Sequence, residues 1–306
     1  MRAIDALLAG LVDYAGLFPP ASEDMRSALE SYARYLNSAD RKALGRFIVP
    51  LARLKELEEG ARDLLPRGPD SEPWKLSVLV ADDVRAAGEE MLKFNCHHWS
   101  GSPDGHAVID VAELKASTAK EIESQRAELP RFFTAYFEIP IKGDVSPLVK
   151  TLAGARSRAK VRTGGVTPEA FPPAREIAGF IASCRREGVA FKATAGLHHP
   201  IRGTYRLTYE PHSPAGLMYG FLNVFIAAAL VYGGEAEETA LAVLEEQDPS
   251  AFSFVDDAIM WRDKRIVAEQ IEASRAELAI SFGSCSFREP VDELGTLARA
   301  VRPGNQ

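Results

Sequence analysis

Short apolar segments alternate with longer amphipathic segments along nearly the whole chain. In the longer segments, apolar residues recur at helical spacing, whereas the short ones have the length and composition of buried strands. This alternation predicts parallel strands joined by crossover helices. Seven strands are predicted, at Phe47–Pro50, Leu76–Ala81, Ala107–Leu114, Phe132–Ile139, Ala159–Gly164, Val189–Gly196 and Ala279–Ser286. We therefore expect an α/β fold, specifically a (β/α)8 (TIM) barrel.

The eighth strand has two candidates. Val12–Phe18, which precedes Pro19-Pro20, is favoured over Phe252–Val255. With that choice, residues 203–278 form a helical insertion before the last strand, and residues 1–306 form a single domain. An open doubly wound sheet gives nearly the same sequence pattern and is the alternative fold.

Charge and cysteine content restrict the partners and the compartment. The chain has 36 Lys and Arg against 43 Asp and Glu, a formal charge of −7. No basic footprint for nucleic acid is present, although a local pocket for one anionic metabolite is compatible with this charge. Cys96, Cys184 and Cys285 are far apart, which is typical of a reducing compartment, and the N-terminus lacks the apolar core of a signal peptide. We expect a cytoplasmic protein.

The most apolar segment is Leu217–Tyr232. It contains Asn223 and is shorter than the roughly 20 residues of a spanning helix, so no membrane association is predicted. A barrel has little interior left to bury such a helix. The segment therefore indicates a buried helix or the interface of a homo-oligomer.

Three predicted strands carry polar residues at every second position. Glu138 lies on one of them, Lys160 and Arg162 on the next, and Lys192 on the third. Because successive side chains point to opposite faces, each strand has an apolar face and a polar face. In a parallel barrel the polar face must line the interior, which predicts an active site near the strand ends. An antiparallel sheet with one wet face, or a structural ion-pair network, gives the same pattern.

This cluster favours amine chemistry. A lysine among cationic neighbours in a partly dry pocket loses proton affinity and can attack a carbonyl to form a Schiff base. Lys160, Arg162 and Lys192 are expected to lower one another's pKa values, and Glu138 is expected to shuttle protons.

Three motifs resemble those of deoxyribose-phosphate aldolases and related class I aldolases. Lys160-Val161-Arg162-Thr163-Gly164 is similar to the family's K-x-x-T-G strand. Lys192-Ala193-Thr194-Ala195-Gly196 is similar to its K-A-S-G-G strand. Gly283-Ser284-Cys285-Ser286 resembles the G-T-S-S turn of the last strand, and the three motifs occur in the family's order.

The resemblance implies that Lys160 is the Schiff-base lysine and that Lys192 lowers its pKa. It also implies a phosphate site, lined by Gly164, Gly196, Gly283, Ser284 and Ser286. Arg162 replaces a small hydroxyl residue, which implies a different or more acidic substrate.

Other positions depart further from the family. His198-His199 replaces a hydrophobic-Arg turn, so Arg202 is the candidate for that arginine's role. Asp110 and Glu113 are both candidates for the proton-relay carboxylate.

The leading hypothesis is an aldolase-like lyase that acts on a small phosphorylated or carboxylated carbonyl compound without a metal or another cofactor. His198 is expected to bind substrate or act as an acid or base, whereas His97-His98 is expected to be structural. One alternative is a metal-dependent hydrolase or isomerase that uses His198, Glu138 and Asp13. Another is a non-catalytic barrel that binds an anionic metabolite.

Overall fold

The computed structural model describes residues 2–81 and 83–301. The strands in these residues are β1 (Val12–Tyr14), β2 (Leu44–Pro50), β3 (Trp74–Leu79), β4 (Ala107–Lys115), β5 (Thr134–Glu138), β6 (Arg158–Arg162), β7 (Phe191–Thr194), β8 (Gly203–Arg206), β9 (Ala215–Met218), β10 (Phe252–Val255), β11 (Ala258–Trp261), β12 (Lys264–Val267) and β13 (Ala279–Ser284). The α-helices are α1 (Ala3–Leu8), α2 (Met25–Leu36), α3 (Leu54–Ala61), α4 (Val84–His97), α5 (Ala119–Glu128), α6 (Ser146–Gly154), α7 (Ala174–Glu187), α8 (Phe221–Tyr232), α9 (Glu237–Glu245), α10 (Ala268–Glu277) and α11 (Arg288–Ala300).

Eight of these strands form a closed parallel barrel in the order β1-β13-β7-β6-β5-β4-β3-β2. β1 completes the ring, because Val12 pairs with Phe282 of β13 on one side and with Leu44 of β2 on the other. The predicted (β/α)8 barrel is therefore confirmed, and so is the choice of the N-terminal segment as its first strand. The rejected candidate, β10, belongs to a separate antiparallel sheet with β11 and β12.

Six of the eight barrel strands end earlier than the sequence predicts, namely β1, β3, β5, β6, β7 and β13. β7 stops at Thr194, two residues before the predicted end at Gly196. Ala195 and Gly196 have φ values of 64° and 74°, a left-handed conformation that takes the chain out of the sheet. The polar residues of this strand therefore lie directly below a sharp turn.

The segment between β7 and β13 contains more than the predicted helices. α8, α9 and α10 are accompanied by the β8–β9 hairpin and by the three-stranded sheet β10–β11–β12.

The apolar helix α8 is buried by its own chain. Residues 221–231 are all buried, and α8 packs against α7, α9, α10 and β13. The Asn223 amide donates to the carbonyls of Val243 (2.7 Å) and Glu246 (2.8 Å), so its polar group is satisfied inside the core. Burial in one chain accounts for the apolar sequence, which removes the observation behind the predicted oligomer. Among residues 2–81 and 83–301, no helix has both the length and the apolar character to cross a bilayer.

Candidate active site

Two lysines and one glutamate meet inside the barrel. Lys160 and Lys192 are paired in register on β6 and β7, so their side chains enter the interior side by side. Glu113 on β4 bridges them, with Oε2 2.8 Å from the Lys160 Nζ and Oε1 2.7 Å from the Lys192 Nζ. All three side chains are almost completely buried. The polar strand faces therefore converge on one ion-pair network.

Lys192 is the more deeply buried of the two lysines. Its Nζ is 2.6 Å from Asp13 Oδ2, and that carboxylate also accepts hydrogen bonds from the Ser281 hydroxyl and the Arg46 backbone N–H, both 2.8 Å long. Burial alone would lower the pKa of Lys192, but the carboxylates of Asp13 and Glu113 raise it well above its usual range. The expectation that cationic neighbours lower this pKa is wrong, because two anions contact the ammonium group directly.

Glu113 is held in its ionised form. Burial alone would raise its pKa, but the Lys160 and Lys192 charges keep the pKa of this carboxyl well below its usual range. The Ser77 hydroxyl also donates to Oε1 (2.6 Å). Of the two candidate relay carboxylates, only Glu113 enters the network, because Asp110 pairs with Arg46 (2.6 Å) near the amino end of β4.

Lys160 is also paired with Glu138, its neighbour in register on β5. Its Nζ forms an ion pair with Glu138 Oε2 at 3.1 Å, and no other polar group among the described residues contacts this buried oxygen. The other oxygen accepts a 3.3 Å bond from Arg162 Nε. Burial would raise the pKa of Glu138, but the charges of Lys160 and Arg162 lower it.

A cavity of about 300 Å³ opens above the network at the carboxyl ends of the strands. Lys160, Glu113 and Arg162 line it, whereas Lys192 and Glu138 lie behind this wall. Its other lining residues are Ala15, Phe18, Pro19, Pro20, Ile48, Leu79, Gly165, Val166, Thr194, Ala195, Gly196, His198, Leu207, Gly283 and Cys285. A larger depression of about 1330 Å³, near Phe132 and Arg156, lies at the amino ends of β5 and β6 and contains none of the network.

The predicted phosphate-binding turn is only partly at the cavity. Gly196 and Gly283 line it, but Ser284 and Ser286 do not. The Ser284 hydroxyl instead accepts a hydrogen bond from the Ser286 N–H (3.3 Å), and the Ser286 hydroxyl accepts one from the Glu289 N–H (3.2 Å). Cys285, between the two serines, faces the cavity.

Two other predicted positions lie outside the cavity wall. Gly164 packs against Gly196, where a Cβ on Gly196 would approach the Gly164 Cα to 3.0 Å. Arg202 stacks on the Tyr219 ring at 4.6 Å and donates to the Leu244 carbonyl (3.1 Å). Its guanidinium group therefore stabilises the loop that follows β7 and does not reach the candidate site.

The adjacent histidines His198 and His199 point apart. His198 lines the cavity, with Nδ1 3.2 Å from Glu289 Oε2 and 4.0 Å from Cys285 Sγ. Burial would lower the pKa of His198, but its contacts with Cys285 and Glu289 raise it to about 9. His199 turns away and stacks on Tyr205 at 3.6 Å.

The residues proposed for a metal-dependent enzyme do not form a ligand cluster. Among the described residues, the grouping with metal-ligand spacing is Glu58, His97 and His98, whose ligand atoms lie within 4.8 Å of one another. It lies at the opposite end of the barrel. There, the His98 ring contacts the Gly105 carbonyl at 3.0 Å and Glu58 at 3.3 Å, a pairing typical of a structural histidine.

Sequence reasoning missed three polar residues at the site. Ser77 and Ser281 bind the two central carboxylates, and Cys285 contributes a thiol to the cavity wall. The two serines are isolated polar residues within apolar strands, which is a usable signal for an interior contact.

No family model, curated protein or solved structure gives a significant match to this chain. The similarity to class I aldolases therefore extends only as far as the closed eight-stranded parallel barrel. Because this fold supports many unrelated reactions, the function must be argued from the site itself.

Proposed function

We propose that this protein is an aldolase-like lyase that forms a Schiff base between Lys160 and a small phosphorylated or carboxylated carbonyl compound. One observation carries the proposal. The Lys160 ammonium group lies on the wall of a cavity at the carboxyl end of the barrel, between two carboxylates. Catalytic groups of (β/α)8 enzymes lie at this end.

The neighbouring carboxylates supply the proton transfers that imine formation needs. Lys160 must lose a proton before it attacks, and the carboxylates of Glu113 and Glu138, 2.8 and 3.1 Å from its Nζ, are the bases beside it. The neutral amine then forms a C–N bond with the carbonyl carbon. The carbonyl oxygen takes up protons and leaves as water. The resulting iminium accepts the electron pair of the Cα–Cβ bond, which breaks and leaves an enamine on Lys160. The β-hydroxyl loses its proton as its carbon becomes the carbonyl of the released fragment, and protonation and hydrolysis of the enamine release the second product and the free lysine.

Lys192 is a positioning residue in this scheme. Its raised pKa and its place behind the cavity wall make it a poor nucleophile. Held by Asp13, the Lys192 ammonium group keeps Glu113 ionised and fixed, and Glu113 in turn holds the Lys160 side chain. The proposal therefore assigns the nucleophile to Lys160.

The cavity favours an anionic substrate. Arg162 and His198 both line it, and His198 is positively charged at neutral pH because its pKa is about 9. A volume of about 300 Å³ is at the lower end for ligand sites, which suits a small metabolite. Among residues 2–81 and 83–301, the Arg162 side chain has one hydrogen bond, to Glu138, so its remaining N–H groups are available for a phosphate or carboxylate.

Reductive trapping tests the proposal. The protein is treated with sodium borohydride and a panel of phosphorylated trioses and 2-oxo acids, and the modified lysine is located by peptide mass spectrometry. We expect one adduct, on Lys160, and none in K160R, which keeps the charge but cannot form an imine. K150R, which changes an exposed lysine on α6, should be labelled as the unmodified chain is. Absence of any adduct, or adducts spread over surface lysines, would refute the proposal.

A non-catalytic barrel that binds an anionic metabolite is supported by the same two cations at the cavity. It predicts a higher melting temperature with phosphorylated ligands but no covalent adduct. The trapping experiment therefore separates the two functions.

A further inference from the structure

A second group of reactive side chains lies at the cavity, apart from the lysine network. The Cys285 Sγ is 4.0 Å from His198 Nδ1 and 3.7 Å from the Tyr209 hydroxyl. Glu289 joins the group, because its Oε2 is 3.2 Å from His198 Nδ1 and accepts a 2.9 Å hydrogen bond from Tyr209. Of these four residues, Cys285 and His198 line the cavity.

This arrangement pairs a thiol with a candidate base. A thiol beside an imidazole can transfer its proton to the ring, and the resulting ion pair is the nucleophilic form of cysteine. Glu289 stabilises the imidazolium, and it also accepts the Tyr209 hydroxyl proton, so Tyr209 holds this carboxylate beside the histidine.

The other two cysteines have different surroundings. Cys184 is fully buried in α7, and burial raises its pKa well above the usual range. Cys96 is exposed near the end of α4. They serve as internal references, one for an inaccessible thiol and one for a solvated thiol.

We propose that Cys285 is a nucleophilic thiol of the cavity that His198 activates, and that it binds small anionic electrophiles, in particular aldehydes that carry a carboxylate or phosphate. The sulfur forms a bond with the carbonyl carbon while the C=O π bond breaks. The imidazolium proton moves to the carbonyl oxygen and gives a hemithioacetal, without oxidation or reduction. This adduct does not require an imine at Lys160, so the site goes beyond the proposed lyase.

Alkylation rates of the three cysteines test this inference in the folded protein. Iodoacetate and iodoacetamide both alkylate thiolates with loss of iodide, but only iodoacetate is anionic. Three cationic side chains, Lys160, Arg162 and His198, line the cavity against one carboxylate, Glu113. We therefore expect the rate ratio of iodoacetate to iodoacetamide to be roughly tenfold higher at Cys285 than at Cys96. Cys184 should stay unmodified until the protein is unfolded.

The variant H198N tests the activation. We expect it to slow alkylation of Cys285 roughly tenfold and to leave Cys96 unchanged. H199N is the matched control, because His199 pairs with Glu293 outside the cavity; it should alkylate as the unmodified chain does. Equal reagent ratios at Cys285 and Cys96, or an unchanged rate in folded H198N, would overturn the inference. If circular dichroism shows that H198N is unfolded, the reagent ratio of the unmodified chain decides alone. These rates do not depend on borohydride trapping, so either proposal can fail separately.

Discussion

Charged side chains lie inside the barrel at both of its ends, but they are paired in different ways. At the amino end, Arg46 binds Asp110 through two hydrogen bonds of 2.7 and 2.6 Å. Arg275 donates there to the backbone carbonyls of Leu7, Ala9, Ala279 and Ile280. At the carboxyl end, the Lys160 ammonium approaches two carboxylates, one of whose oxygens has no hydrogen-bond partner among the described residues, and it borders a cavity.

The difference supports separate roles for the two sets of charges. A guanidinium group has rigid, planar donors, and at the amino end carboxylate and backbone oxygens accept hydrogen bonds from most of them. An ammonium group on a flexible stem can change partners and lose its proton. Because buried ion pairs contribute little net stability, an incompletely satisfied network beside a cavity indicates a role in binding or catalysis.

The two ends are expected to differ most in the stability lost when a carboxylate is replaced by its neutral amide. Glu113→Gln removes the charge that both lysines share, and it leaves two buried ammonium groups with one carboxylate each. We expect the free energy of unfolding to fall by about 3–5 kcal/mol, as measured by urea denaturation. Asp110→Asn is the matched variant at the amino end, where both side chains of the pair are partly exposed, and it should lower this free energy by about 1 kcal/mol.

Equal losses of unfolding free energy in the two variants would contradict the proposed difference between the ends of the barrel. They would show that the ion pairs at both ends contribute equally to stability. A more stable Glu113→Gln protein would show that burial of the Glu113 charge outweighs its attraction to the lysines. Either result would weaken the argument that Glu113 holds Lys160 in place.

The free energy of unfolding is also expected to depend on pH through this network, by a smaller amount over the accessible pH range. The pKa of Glu113 is lowered in the folded chain, so its contribution is present above about pH 4.3 and is lost as the pH falls below that value. The pKa of Lys192 is raised, so its contribution is present below about pH 10.4 and is lost as the pH rises further. Each group should give a slope of about 1.4 kcal/mol per pH unit in its range.

Urea denaturation between about pH 3 and 11 measures both slopes. Because other groups titrate as well, the useful quantity is the difference between the unmodified chain and Glu113→Gln. That difference should shrink as the pH falls below 4. A difference that stays constant through this range would mean that Glu113 is not held ionised by the lysines.

The polar strand faces could be predicted from the sequence because strand alternation is a local property. Lys160 and Glu138 share a face through the period of two, and the register of parallel strands brings them together. The same argument placed Lys192 beside Lys160. The barrel itself followed from the alternation of strands and helices.

The countercharges could not be predicted in the same way. Lys192 meets Asp13 only because β1 closes the barrel beside β13, a contact that spans 179 residues. The sequence does not show that Asp13 and Glu113 contact Lys192, so the predicted direction of the Lys192 pKa shift is opposite to the one in the structure. The Arg202 and Ser284 side chains depart from expectation for a related reason, because turn geometry beyond the strand ends decides where they point.

The smallest effect on stability is expected at the cavity mouth, for Arg162→Met. The Arg162 side chain is 49% exposed and has one 3.3 Å contact with Glu138, so its loss should change the free energy of unfolding by less than about 1 kcal/mol. Its effect on ligands should be selective. Borohydride trapping of a phosphorylated or carboxylated carbonyl compound should fall roughly tenfold, whereas trapping of an uncharged aldehyde should change little.

Arg186→Met is the matched control, because Arg186 is similarly exposed and pairs with Glu187 outside the cavity. It should alter neither kind of trapping. If Arg162→Met reduces trapping of charged and uncharged compounds equally, Arg162 acts on Lys160 through Glu138 and does not bind the substrate anion. The charges at the carboxyl end would then serve only the reactivity of the Lys160 amine, and His198 would be the residue that binds the substrate anion.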